Sequence, residues 1–211
     1  MRLTKHAHAC VRIELGDVCV VLDPGVFTDA AAVDGATAVL VTHEHPDHLH
    51  PDNLRATDAP IWTIGAVADQ ITAAAPDLAE RVTVVTPGEA FDVGVPVTAV
   101  GEKHAVIHPD YDRITNSGYL LDVDGTAVFH PGDALTVPEQ SVDLLCLPVS
   151  APWLKVSEAI DYALAVGAPR NLAIHDMVYS AAGLGMVDTH LGNFLRPREQ
   201  EYTRLEAGTE L

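Results

Sequence analysis

Short apolar runs, rich in β-branched residues and closed by Gly, Pro, Asp or Asn, recur along the chain: Val18 to Leu22, Ala38 to Val41, Ile61 to Ile64, Val82 to Val85, Val95 to Val100, Tyr119 to Val123, Ala127 to Phe129, Leu144 to Val149 and Leu172 to Ile174. Runs of this length and composition read as strands, because branched side chains pack well on a pleated surface and the flanking residues supply turns. Two helical patterns lie between them. Gly65 to Ala75 is rich in alanine and stops before Pro76, and Ser157 to Val166 opens on a capping residue and stops at Gly167. Asp122-Val123-Asp124-Gly125-Thr126 joins two strands through an Asp-Gly hairpin. The glycines of Ala182-Gly183-Leu184-Gly185-Met186 read as a mobile loop, since no strand-to-helix context makes them a phosphate cradle. With strands and helices interleaved and no low-complexity linker, charge block or short repeat, the pattern predicts one α/β domain with mixed sheets over residues 1–211.

Composition supports a real core: 48% of the 211 residues are hydrophobic and 20% charged. Acidic residues outnumber basic ones 30 to 12, a formal net charge of −18 that repels phosphate backbones and anionic membranes and demotes both as partners. Cys10, Cys19 and Cys146 show no C-x-x-C spacing, so neither a disulfide framework nor a zinc ribbon is suggested and a reduced compartment fits. Arg2, Lys5, His6, His8, Arg12 and Glu14 interrupt the first turns of chain, which no signal-peptide apolar region tolerates. No run approaches the roughly 18 apolar residues of a membrane span. The expectation is a soluble cytoplasmic protein with a small-molecule substrate, no nucleic-acid or membrane partner, and homo-oligomerisation left open.

Chemistry concentrates in the 11 histidines, above all in Thr42-His43-Glu44-His45-Pro46-Asp47-His48, directly after the apolar run Ala38 to Val41. In extended chain, residues two apart face the same way, so His43 and His45 can present imidazoles to one ion. Pro46 keeps His45 out of the α region and begins a turn that aims Asp47 and His48 at a neighbouring position. Imidazole and carboxylate suit zinc and other borderline divalent metals.

This H-x-H-x-D-H run resembles the signature of the metallo-β-lactamase superfamily. The resemblance implies a further histidine, a bridging aspartate and a final histidine, for which His104, Asp133 of His130-Pro131-Gly132-Asp133, and His175 after Leu172-Ala173-Ile174 are the candidates. It also implies an early supporting aspartate, matched by Asp23 in Val20-Val21-Leu22-Asp23-Pro24. Carried over position by position, His43, His45 and His104 hold one metal, Asp47, His48 and His175 hold a second, and Asp133 bridges. Two divalent ions are implied, zinc first, with manganese or iron open. Such ions, about 3.5 to 4 Å apart, share one hydroxide and stabilise the charge that develops on attack, with Asp47 accepting a hydrogen bond from that hydroxide. The opening Ala7-His8-Ala9-Cys10-Val11-Arg12-Ile13-Glu14 and Phe129 to Asp133 are similar to the ascorbate-6-phosphate-lactonase-like branch, with Ala7 in place of its glycine.

Other residues divide between supporting and ordinary roles. His8 is read as lining the pocket or supporting a ligand, and His130 as either a ligand's partner or a strand-end histidine. His108 lies in the polar segment Glu102 to Asn116, where a substrate contact competes with simple exposure, and Lys103 and Arg113 there are candidates for holding a distal anionic group. His6, His50 and His190 read as solvated, and Trp62 and Trp153 as core or rim.

The expected fold is a four-layer αββα sandwich of two mixed β-sheets with the metal site on loops at one sheet edge. The expected function is a dinuclear metal-dependent hydrolase of a small ester, lactone, amide or phosphodiester. The alternatives are an iron-dependent oxidoreductase on the same scaffold and a nuclease of the same superfamily, the latter opposed by the acidic charge.

Overall fold

Each of those apolar runs forms a strand, and burial on both faces explains why the central ones, such as Val18–Leu22, Ala38–Val41, Leu144–Pro148 and Leu172 to Ile174, are continuously apolar, whereas Pro96–Val100 nearer a sheet edge alternates. The computed structural model describes residues 1–211, with strands β1 (Arg2–Lys5), β2 (Val11–Leu15), β3 (Val18–Leu22), β4 (Ala38–Val41), β5 (Ile61–Thr63), β6 (Val82–Val84), β7 (Ala90–Asp92), β8 (Pro96–Val100), β9 (Gly118–Val123), β10 (Thr126–His130), β11 (Leu144–Pro148), β12 (Arg170–Ile174), β13 (Glu201–Thr203) and β14 (Thr209–Glu210). They build two seven-stranded sheets, ordered β14-β1-β2-β3-β4-β5-β6 and β13-β12-β11-β10-β9-β8-β7. Both sheets are mixed in the same way. Neighbours from β14 to β3 pair antiparallel and from β3 to β6 parallel, while β7 to β10 pair antiparallel and β10 to β13 parallel.

Side chains sort by the two-residue period of a strand. Leu144 and Cys146 of β11 meet Val20, Leu22 and Leu40 in the layer between the sheets, whereas Leu145 and Leu147 pack outward. Helices α1 (Pro51–Arg55) and α2 (Gly65–Ala74) cover the outer face of the first sheet, and α3 (Val156–Val166) and α4 (Ala181–Leu195) that of the second. The molecule is thus an αββα sandwich of the expected kind.

Besides the short elements α1, β7, β13 and β14, which carry no run of their own in the sequence, two larger features depart from the sequence reading. Ala182 to Met186 lies inside α4 and is not a loop: Ser180 caps the helix by accepting from the Gly183 amide, and Leu184, Val187, Leu191 and Leu195 form a buried stripe against α3 and the second sheet. That stripe outweighs the low helix propensity of the glycines. The charged N-terminus also hides two strands, because Val11 and Ile13 face the core while Arg12 and Glu14 pair across the other face.

Lys5 at the end of β1 is only 1% exposed, its Nζ 2.8 Å from each carboxylate oxygen of Asp176, just beyond β12. This buried pair ties the edge of one sheet to the loop leaving the other. Lys5→Met should lower the unfolding free energy by about 3–5 kcal/mol, because Asp176 is left charged and unpaired. Adding Asp176→Leu should recover most of that loss, and urea unfolding of the three proteins measures both effects.

Candidate metal centre

The loops leaving β3, β4, β8, β10 and β12 meet at one edge of the sandwich, so residues far apart in sequence share a site. After β4 the chain runs extended through Thr42 and His43 and then makes one helical turn, in which the His45 carbonyl accepts from the amides of His48 and Leu49. Another segment packs on that turn: the Val26 amide donates to the Pro46 carbonyl at 2.8 Å. A methyl group at Gly25 would lie inside the carbonyl of Asp47, so only glycine allows this approach. Gly132, with φ +62°, packs its Cα against Thr42 and Asn116 and brings Asp133 alongside.

Two groups of donor atoms result, His43, His45, His104 and Asp133 in one and His8, Asp47, His48 and His175 in the other, each with its atoms within 4.8 Å of one another. Asp133 stands between them. Its Oδ1 is 3.1 Å from His48 Nε2, and its Oδ2 is 3.3 Å from His104 Nε2, 3.2 Å from His175 Nε2 and 3.8 Å from His43 Nε2. Asp47 Oδ2 lies 3.2 Å from His175 Nε2.

Hydrogen bonds behind the rings decide which nitrogen faces inward. His104 Nδ1 donates to the Ala105 carbonyl at 2.7 Å, and His175 Nδ1 donates to the Ser150 carbonyl. His48 Nδ1 faces Asp23 Oδ2 at 2.7 Å, while the other Asp23 oxygen accepts from the Thr42 amide at 2.8 Å. The Thr42 hydroxyl donates to Asp23 and receives His43 Nδ1 at 3.0 Å. Each arrangement leaves the Nε2 lone pair of a neutral ring pointing into the centre. His48 Nε2, His104 Nε2, His175 Nε2 and Asp133 Oδ1 are buried there without a hydrogen-bond partner. Lone pairs aimed at carboxylate oxygens repel unless a cation lies between them, so the donor set fits divalent metal.

Protonation in the metal-free chain follows the same logic. Burial pulls the His48 and His175 imidazolium ions down, but the charge of Asp133, joined by Asp23 at His48 and by Asp47 at His175, outweighs it, holding His48 well above its usual value and His175 at about 9. Burial and the neighbouring His48 hold His43 well below its usual value. Burial would raise Asp133, yet the charges of His48 and His175 hold it well below the usual carboxylate range. Asp47 is likewise lowered, its burial outweighed by the nearby His175 and by the hydrogen bond from His8.

The structure brings His43, His45, Asp47, His48, His104, Asp133 and His175 together and places Asp23 behind them. His8 joins the second group: its Nδ1 accepts from the Met177 amide, so its Nε2 carries the proton and donates to Asp47 Oδ2 at 3.0 Å. His130 supports the same segment, accepting at Nδ1 from the Gly132 amide and donating from Nε2 to the Ala9 carbonyl at 2.8 Å. His108 stands apart, its exposed ring tilted against Tyr111 and its Nδ1 accepting from the Asp110 amide. Arg113 turns its guanidinium to the carbonyls of His104 and Lys103. His6 and His50 are half-buried, each with one enclosed ring nitrogen, and His190 alone of these three is exposed as expected. Trp62 stacks on Phe91 beside the core, and Trp153 lies at the rim, 5.4 Å from the His104 ring.

Sequence reasoning did not single out Asn116, Ser150 or the Lys5–Asp176 pair. Asn116 accepts from the Asp133 amide and donates to the Pro131 carbonyl, closing the turn that presents the bridging candidate. Asn116 and Ser150 carry no spacing signal, and Lys5 looks like any other N-terminal charge.

Residues 2–175 match the family model described as the beta-lactamase superfamily domain. The chain is 37% identical over 190 residues to Protein Rv0786c of Mycobacterium tuberculosis, spanning 88% of this chain and 89% of that protein. A UPF0173 metal-dependent hydrolase of Nitratidesulfovibrio vulgaris is 28% identical over 167 residues, 70% of this chain and 68% of the relative. The metallo-beta-lactamase fold protein YhfI of Bacillus subtilis superposes with a TM-score of 0.73 at 16% identity, covering 97% of this chain and 91% of its own, a likeness of fold.

The pH dependence of the metal-free chain has a defined sign. His175 binds its proton up to about 9 when folded, against the ordinary value of 6.5, so it adds stability that is complete below about pH 6.5 and is lost as pH rises through about 9. Asp133 and Asp47 act oppositely, losing their contribution as pH falls below the carboxylate range. The thermal midpoint of chelator-treated protein should therefore fall from about pH 6.5 to about pH 9. Zinc-loaded protein should lack this decline, because cations replace the protons.

Proposed function

The chain belongs to the beta-lactamase superfamily, and from that premise we propose that it is a metal-dependent hydrolase holding two divalent ions and cleaving a small ester, lactone, amide or phosphodiester. The observation that carries this reading is the convergence of His48 Nε2, His104 Nε2, His175 Nε2 and Asp133 Oδ1, all buried and without partners, on one point between two donor groups. His43, His45 and His104 would hold one ion, Asp47, His48 and His175 the other, with Asp133 between them. The donors are nitrogen and oxygen only, which favours zinc and keeps manganese and iron open. When bound, the ions supply an acidified water and positive charge for a developing oxyanion.

The chain's own groups do the positioning. Asp23 keeps His48 in the tautomer that faces inward, and the carbonyls of Ala105 and Ser150 do the same for His104 and His175. Asp47 is the more open carboxylate, its side chain 22% exposed against 2% for Asp133. Its Oδ2 is engaged by His8, which leaves Oδ1 to orient a water and take its proton. The likeness of Ala7 to Glu14 to the ascorbate-6-phosphate-lactonase-like branch belongs to this reading and carries no substrate with it. No helix is long and apolar enough to cross a membrane. A cytoplasmic setting, one domain over residues 1–211, a small-molecule substrate and no nucleic-acid partner complete the proposal.

Elemental analysis should find two ions per chain, and Asp133→Ala should lose most of both, because that carboxylate serves each group. His175→Ala should lose one ion before the other and abolish turnover. Full metal occupancy in Asp133→Ala would falsify the bridging assignment, and turnover surviving in His175→Ala would remove the two-ion reading.

Gly25→Ala tests the scaffold separately. Displacing the Asp47 turn should cost about 1–3 kcal/mol of stability and reduce bound metal, although no ligand is changed. Calorimetry and metal content on the same sample measure both.

A further inference from the structure

Large apolar side chains stand in solvent on the loops that carry the donor groups. Phe27, 43% exposed, follows the Gly25 contact with Asp47 and sets its ring 4.9 Å from that of His8. Met177, 51% exposed, follows His175 and Asp176 and gives its amide to His8. Ile107, 46% exposed, lies three residues beyond His104. Trp153, part-buried, touches both groups, its ring 5.4 Å from His104 and 6.1 Å from His175. Tyr179 backs this wall, its hydroxyl donating to the Ala151 carbonyl at 3.2 Å.

Exposed apolar residues scattered singly need no explanation, but a set gathered around a polar centre does. The two carboxylates of the centre, Asp47 and Asp133, are also free of Lys and Arg partners, every ion pair they make being to histidine. Of the two cations in the segment after β8, Arg113 is committed to the carbonyls of His104 and Lys103, and Lys103, exposed, forms no ion pair with either carboxylate. A phosphodiester would bring a charged non-bridging oxygen and flanking polar groups into this apolar surround. An acyl compound brings one neutral carbonyl and a chain that the surround can cover.

We propose that Trp153, beside His104 and His175, and Phe27, beside His8, form an apolar mouth that selects esters, lactones or thioesters of an apolar acyl group over phosphodiesters. This rests on the hydrolase reading above and narrows it. Trp153 acts by covering the acyl chain, so its loss raises KM more for long-chain than for short-chain substrates.

Binding alone separates this inference from the reading beneath it. Zinc-loaded protein is titrated calorimetrically with acetohydroxamic acid and with octanohydroxamic acid, which share a metal-binding head and differ in chain length. The octanoyl compound should bind at least about tenfold tighter, as burying two of its methylenes supplies. In Trp153→Ala that preference, read as the ratio of the two affinities within the variant, should shrink below about threefold, and Trp153→Phe should restore most of it. Equal affinity of the two compounds for the unmodified protein overturns the apolar mouth and leaves the metal centre standing. Failure of both to bind zinc-loaded protein removes the metal-centre reading, and this inference with it. Equal affinity combined with a dimer that Met177→Ser dissociates would assign the apolar rim to a second copy of the chain instead. Among substrates, faster turnover of bis(4-nitrophenyl) phosphate than of 4-nitrophenyl octanoate would also overturn the acyl preference.

Discussion

Asp133 sits where the two sheets open, with the Nε2 atoms of His48, His104 and His175 between 3.1 and 3.3 Å from its oxygens. Each of those rings uses its other nitrogen elsewhere, on Asp23, the Ala105 carbonyl or the Ser150 carbonyl. Neutral imidazoles so oriented would place lone pairs against a carboxylate in a nearly water-free space. Positive charge must therefore occupy the centre, as protons in the metal-free chain or as metal ions in the loaded one. The rest of the site is arranged to maintain this convergence.

That arrangement requires unusual backbone. His8, Asp23 and His175 all have positive φ, at 52°, 48° and 58°, in a region that non-glycine residues rarely occupy. The three are connected: the His175 amide donates to the His8 carbonyl, their rings lie 3.9 Å apart, and Asp23 reaches His48. Strain of order 1–3 kcal/mol at each persists only where the surroundings over-determine it. Here the buried Lys5–Asp176 pair, the His130 contact with Ala9 and the close approach of Gly25 to Asp47 provide those surroundings. Stability contributed by the sandwich is thus used to hold a geometry the loops would not adopt alone.

Global and local electrostatics act in opposite directions. A net charge of −18 repels anions at a distance, but salt screens that field within about 8 Å. Inside the centre, two divalent ions would outweigh the charges of Asp47 and Asp133, so an oxyanion forming there meets a local surplus. Around it the surface is apolar, set by Phe27, Ile107, Trp153 and Met177. Under the proposed function, charge at the reacting atoms and apolar cover beyond them are complementary demands on the substrate.

The central strands were legible in the sequence because two-sided burial makes them continuous apolar runs, and the Thr42 to His48 turn was legible because its donors are local. His104, Asp133 and His175 could be named in order through a family likeness, since each follows a strand that ends at the same edge. Helix α4 was not legible, because its glycines read as loop until α3 and the second sheet supplied a surface for Leu184, Val187 and Leu191. The tautomer of each histidine and the partnership of Lys5 with Asp176 were decided only by tertiary structure. So were the support from Asn116 and the position of Trp153 against both donor groups. The physical reason is common to all of these. Residue type and spacing determine which atoms can serve as donors, whereas their direction depends on carbonyls, carboxylates and ring faces that folding brings alongside, from Asp23, 25 residues before His48, to Ala9, 121 residues before His130.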